Sequence, residues 1–263
     1  MKIFKNFTLF FGIFMSACSP LKYSEYAEIN SSEKENQPSN IISGVEVDNN
    51  STLSKSVVLL VNILTQEICS AALIGSQYAL TATHCLDKED PNNLFIFFAA
   101  KPDFQTERRQ VVAMRTPPSG NIALLKFEGE TLPKGFEEAS FLPVSEKIQK
   151  GARVIVLGYG IKEAQSKAGA GILRYTTLTV SDPNYSSTEI LLDQSKGSSV
   201  CHGDSGGPAY FLRKDSYGQP KLYLWGIADH ASLNDVNDQC NKGVIYINAL
   251  VFLPWIENVL RTL

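Results

Sequence analysis

An all-β fold closed into barrels is the architecture this sequence predicts, and three observations carry it. Short β-branched and aromatic runs alternate with turn residues, and no long helical period appears before the final residues. Many short strands must also hide their edges, which closure into a barrel does. At 263 residues, less a processed N-terminus, the chain suffices for one large or two small all-β domains. Apolar content is ordinary and the formal net charge is −3, which argues against nucleic acid and against electrostatic attachment to a membrane surface.

The N-terminus reads as a targeting segment. Lys2 and Lys5 precede an apolar run over 7–15, and Ser16-Ala17 supply the small residues of a cleavage site. Such a run is too short to span a bilayer, so 1–17 is expected to be a signal peptide. Five cysteines in a secreted-looking chain imply disulfides and one thiol left over. Cys18 directly follows Met15-Ser16-Ala17, which resembles a bacterial lipobox; Cys18 is then the lipidated first residue of an envelope lipoprotein. The alternative is ordinary signal-peptidase cleavage with Cys18 merely nearby, and an extracellular or periplasmic product. Residues 18–40 are rich in Ser, Glu, Asn and Lys, and read as a tether or propeptide without a fold.

Strands are expected at 57–64, 71–74, 78–81, 94–98, 110–114 and 122–127. After Leu142-Pro143 a second set follows at 153–157, 173–180, 189–192, 209–212, 223–228 and 243–247. The tail 250–263 places Trp255, Ile256, Val259 and Leu260 on one face and reads as a closing helix.

The chemistry centres on Cys201-His202-Gly203-Asp204-Ser205-Gly206-Gly207-Pro208. A Ser between an acid and two glycines can stand at the apex of a tight turn while neighbouring N–H groups point at whatever it attacks. A plain Gly-rich turn has no need of Asp, Ser and Pro in this order. The stretch GDSGGP resembles the nucleophile signature of the chymotrypsin/trypsin-like serine peptidases. The likeness runs from 41 to the C-terminus. Thr81-Ala82-Thr83-His84-Cys85 is similar to the family's TAAHC, Gly158-Tyr159-Gly160 to its Gly-Trp-Gly, and Ile41-Ile42-Ser43-Gly44 to its activation sequence.

The resemblance implies two packed six-stranded antiparallel β-barrels, at about 51–143 and 150–249, with a C-terminal helix. It implies disulfides Cys69 to Cys85 and Cys201 to Cys240, and a monomer acting on peptide or protein substrates without cofactor or metal. Ser205 becomes the nucleophile, His84 the general base and then acid, and the amides of Gly203 and Ser205 the oxyanion hole. Cleavage before Ile41 would free an amine to pair with Asp204, although Asn40 at the cut argues against a tryptic activator. The segment from Ala231 to Cys240 is longer than the family's and reads as an enlarged loop. Asp235 and Asp238 within it are too few carboxylates for a calcium site.

Two departures from the family bear on activity. In Gly120-Asn121-Ile122-Ala123-Leu124-Leu125, Asn121 occupies the place of the catalytic Asp. An amide can orient His84 but supplies no negative charge; the same exchange in a trypsin lowers kcat about ten-thousand-fold. In Gly226-Ile227-Ala228-Asp229-His230-Ala231, Asp229 stands where the family has a Ser near that carboxylate. Asp229 either restores the missing charge, making a relocated triad with Ser205 and His84, or is a solvated acid in a divergent strand. The matching pocket positions are Ser199, Val200 and Gly243, walled by His230. They carry no carboxylate to select Arg or Lys, and they suit an apolar side chain. The two functional classes left open are a serine endopeptidase and a pseudoprotease that keeps the fold as a binding scaffold.

Overall fold

The computed structural model describes residues 44–86, 90–162, 168–232 and 240–263. Cys18, Ile41, Asp235 and Asp238 lie outside the described residues.

The first barrel is built from β2 (Val57–Asn62), β3 (Ile68–Gly75), β4 (Tyr78–Thr81), β5 (Leu94–Phe97), β6 (Arg108–Arg115) and β7 (Ala123–Phe127). These close in the order β2-β3-β4-β7-β6-β5. The second is built from β9 (Arg153–Gly158), β10 (Arg174–Asp182), β11 (Glu189–Asp193), β12 (Pro208–Lys214), β13 (Pro220–Ala231) and β14 (Gly243–Asn248). Pairing of β9 with both β10 and β12 completes the ring β9-β10-β11-β14-β13-β12. Both barrels are six-stranded, closed and antiparallel, the chymotrypsin-like architecture expected from the sequence. Two short strands lie outside them: β1 (Val45–Glu46) pairs with β10, and β8 (Ser140–Phe141) runs parallel to β13.

The strands facing the other barrel are apolar on both sides. Along β2, Val58 and Leu60 fill the first barrel while Val57 and Leu59 join a core between the barrels. Along β9, Val154 and Val156 fill the second barrel while Ile155 and Leu157 face the shared core. A strand buried on both faces needs a continuous apolar run instead of an alternating one, which is how 57–61 and 154–157 read. The tail starts as a 3-10 turn, Ala249–Phe252, and continues as the helix Leu253–Thr262. Phe252, Ile256 and Val259 pack into the shared core, and Lys126 Nζ donates to the Leu263 carbonyl at 2.8 Å. The tail thus ties the second barrel to the first. No helix among the described residues is long and apolar enough to cross a membrane.

Candidate active site

Three loops converge where the barrels meet. The first leaves β4, whose register pairs Thr81 with Ala123 of β7. That pairing sets the 3-10 turn Thr83–Cys85 beside the residues that lead into β7. Thr83 N donates to the Asn121 carbonyl (3.3 Å) and Thr83 Oγ1 to the Ile122 carbonyl (3.0 Å). His84 and Asn121 are therefore neighbours by sheet register. The disulfide Cys69–Cys85 anchors the far end of the turn to β3.

The second loop carries Ser205 into β12. Gly203 and Gly206 have φ of +90° and +80°, and a Cβ on Gly206 would lie 2.0 Å from Thr81 Oγ1. Glycine is required there, both for the backbone conformation and for the approach to the first barrel. Ser70, buried in β3, holds the loop from the opposite side. Its N–H donates to the Ser205 carbonyl (2.8 Å) and its hydroxyl to the Gly203 carbonyl (3.0 Å), while Tyr159 N donates to Ser70 Oγ (2.9 Å). Sequence reasoning passed over Ser70; its one signal is a hydroxyl inside the apolar run Ala71-Ala72-Leu73-Ile74 that follows Cys69. The amides of Asp204, Gly206 and Gly207 donate to the carbonyls of Cys201, Ala228 and Asp204. Those of Gly203 and Ser205 donate to no group among the described residues. The disulfide Cys201–Cys240 braces this loop against the residues entering β14.

Beneath the loop, Asp204 is buried against Gly158 and Gly160, where any Cβ would collide with its carboxylate. Its oxygens accept from Gly160 N (2.8 Å) and Cys201 N (2.9 Å). Burial pushes the carboxyl up from an ordinary 3.8 to about 7, against the opposing pull of those amides, Arg174 and His202.

The third element is β13, whose pairing with β14 is irregular between Ala228 and Ala231. A bulge of this kind re-aims side chains, and here it presents Asp229 and His230 at the junction. The Asp229 side chain is only 2% exposed, and its Oδ1 lies 3.9 Å from His84 Nδ1 and 2.9 Å from His230 Nδ1. The 3.9 Å separation is too long for a direct hydrogen bond. Asn121 bridges the gap: its Nδ2 donates to Asp229 Oδ1 and stands 2.9 Å from His84 Nδ1, while its Oδ1 accepts from His84 N at 3.2 Å. The backbone donor on one side and the carboxylate on the other fix which way the amide points. His84 Nδ1 therefore faces a donor, and a neutral imidazole so placed carries its proton on Nε2. Ser205 Oγ donates to the Asp229 carbonyl at 3.3 Å.

Ser205 and His84 both line a cleft of about 350 Å³ with Val200, Ala228, Asp229, His230, Ala231, Val244 and the Cys201–Cys240 disulfide. Ser199 and Gly243, expected in the pocket, are buried and are not among its lining residues; Val244 supplies the wall next to Gly243. A second cleft of about 590 Å³ shares Ser205, His84 and His202 with the first and extends over Gly203, Ile68, Cys69, Glu67 and Ile161.

Two six-stranded barrels with a hydroxyl, an imidazole and a buried acid at their junction define the class as a serine-peptidase-like fold. The family model described as Trypsin matches residues 41–256, and the chain belongs to the chymotrypsin/trypsin-like serine peptidases. Peptides or proteins are the substrates that membership implies, and the two disulfides are consistent with an extracellular or envelope location.

Proposed function

We propose that the protein is a slow, non-tryptic serine endopeptidase that works with a displaced counter-charge. Ser205 attacks the scissile carbonyl, His84 takes its proton and returns it to the leaving amine, and water then hydrolyses the acyl-enzyme. The amides of Gly203 and Ser205 receive the oxyanion. The observation that carries this reading is the buried carboxylate of Asp229, 3.9 Å from His84 Nδ1 and linked to it through the Asn121 amide. A buried carboxylate at that distance stabilises the imidazolium. Its effect is weaker than that of a direct partner. For His84 to act as base, the proton must sit on Nδ1, so the Asn121 amide has to yield and Nδ1–H must close on Asp229. That reorganisation is the reason for a low rate.

The 350 Å³ cleft accepts the side chain on the acyl side of the cut, and Val200, Ala228, Ala231 and Val244 favour an apolar one of modest size. The precursor carries a signal peptide over 1–17, is lipidated at Cys18, and matures by cleavage before Ile41. The new amine then pairs with Asp204, offsetting the burial that lifts its carboxyl to about 7.

A second reading, the pseudoprotease, draws on one observation: Asn121 Nδ2 faces His84 Nδ1, which holds the tautomer unsuited to a base. Exchanging the two departures for the family's pattern separates the readings. The chain beginning at Ile41 is incubated with a mixed peptide library and cleavage is mapped by mass spectrometry. Asn121→Asp with Asp229→Ser should accelerate cleavage by about a hundredfold or more over a measurable parent rate. Asn121→Asp alone should gain less, because two carboxylates then meet and one must hold a proton. A parent that cleaves nothing, beside an active double variant, would mean a pseudoprotease.

A further inference from the structure

We propose that His230 is a positioning residue for His84, acting through the carboxylate they share. When His230 is neutral the charge of Asp229 serves His84; when it is protonated it takes that charge for itself. This rests on the reading above, in which Asp229 is the counter-charge of His84.

A single oxygen is the point of contact. Asp229 Oδ1 lies 2.9 Å from His230 Nδ1 and 3.9 Å from His84 Nδ1. Coulomb energy falls with distance, and an imidazolium at 230 stands closer to that oxygen than the His84 ring does before its Nδ1–H closes on it. Water does little to blunt the competition, because the carboxylate is 2% exposed. Both imidazoles can exchange protons with solvent, being 44% and 49% exposed. The bulge in β13 creates the arrangement by bringing consecutive residues 229 and 230 to the same junction.

The chain has three histidines, and all of them line the 350 Å³ cleft: His84 from the turn after β4, His202 from the nucleophile loop and His230 from β13. Asp229 is the one carboxylate in that lining, among the described residues. Its two Cys residues are joined in a disulfide and do not titrate. Two of the three imidazoles thus lie within 3.9 Å of the same oxygen of that acid.

The test is a proton NMR titration of the imidazole signals of the full chain, assigned with His202→Gln and His230→Gln. His230→Gln should raise the protonation constant of His84 about threefold or more, because the competing cation is gone. His230→Lys, which keeps a cation beside Asp229, should lower it. Opposite shifts from two substitutions at a half-exposed position are not produced by a side chain that merely fills space. A His84 curve that is the same in the parent and in both variants would overturn the proposal. Loss of the parent reading shows elsewhere. If Asp229→Asn leaves the His84 titration unmoved, Asp229 is not its counter-charge. If Ser205 fails to react with a fluorophosphonate while the opposite shifts persist, the sharing stands and the peptidase does not.

Discussion

At position 121 an amide stands where the family has a carboxylate, and its two hydrogens decide the state of the neighbouring imidazole. One goes to Asp229 Oδ1 and the other faces His84 Nδ1, so charge and base are connected through a group that cannot itself become charged. Asp204 poses a different problem, a carboxylate fully enclosed by the nucleophile loop and Gly158-Tyr159-Gly160. Its folded value near 7 lies above its unfolded value near 3.8, so the fold binds the extra proton. Stability from this group is complete at acid pH and is lost as pH rises through about 7. In the uncleaved chain, urea unfolding should therefore show the parent losing stability relative to Asp204→Asn between about pH 4 and pH 8. A parent that gains on the variant over that range would reverse the sign. Both departures, Asn121 and Asp229, could be read from the sequence because the apolar residues around each fix its register. The bridge between them could not, since it depends on a bulge that no local pattern announces.

Among the elements, the turn before β7 matters most to the site. Gly120 has φ of +97°, and a Cβ there would lie 2.5 Å from the Phe252 ring. The 3-10 turn Ala249–Phe252 that follows the second barrel thus backs Gly120, the residue before Asn121. Gly120→Ala should cost about 1–3 kcal/mol, from the left-handed backbone and the displaced ring. It should also slow Ser205 modification by more than the loss of folded protein explains; equal reactivity per folded molecule would mean that Phe252 does not position Asn121. All twelve long strands lie where β-branched and aromatic runs sit in the sequence, because those runs are dense and bounded by turn residues. Their ends shift by a few residues: β13 runs Pro220–Ala231 against an expected 223–228, and β3 begins at Ile68 against 71. The two-residue strands β1 and β8 had no such run to mark them.

For the molecule as a whole, the site belongs to neither barrel. His84, Asn121 and Ser70 come from the first, and Ser205, Asp204, Asp229 and His230 from the second. Each disulfide joins residues of one barrel or its loops, so among the described residues the junction is held with no disulfide across it. Apolar strand faces, the C-terminal tail and single hydrogen bonds such as Ser56 to Tyr210 (2.8 Å) and Tyr159 Oη to the Ala99 carbonyl (2.8 Å) do that work. That Ser205 and His84 would meet at one cleft was legible, because the motifs survive around both. How they are connected was not, because Ser70 and the Asp229 carboxylate act across a gap between segments far apart in the chain. The central claim is that this junction makes the hydroxyl of Ser205 nucleophilic and that Asp229 supplies the charge. Fluorophosphonate modification of the chain beginning at Ile41, followed at Ser205 by peptide mass spectrometry, tests it in one measurement. Slow single-site modification is expected, reduced at least about a hundredfold by Asp229→Ala. An unmodified Ser205, or modification at the same rate in Asp229→Ala, would contradict it.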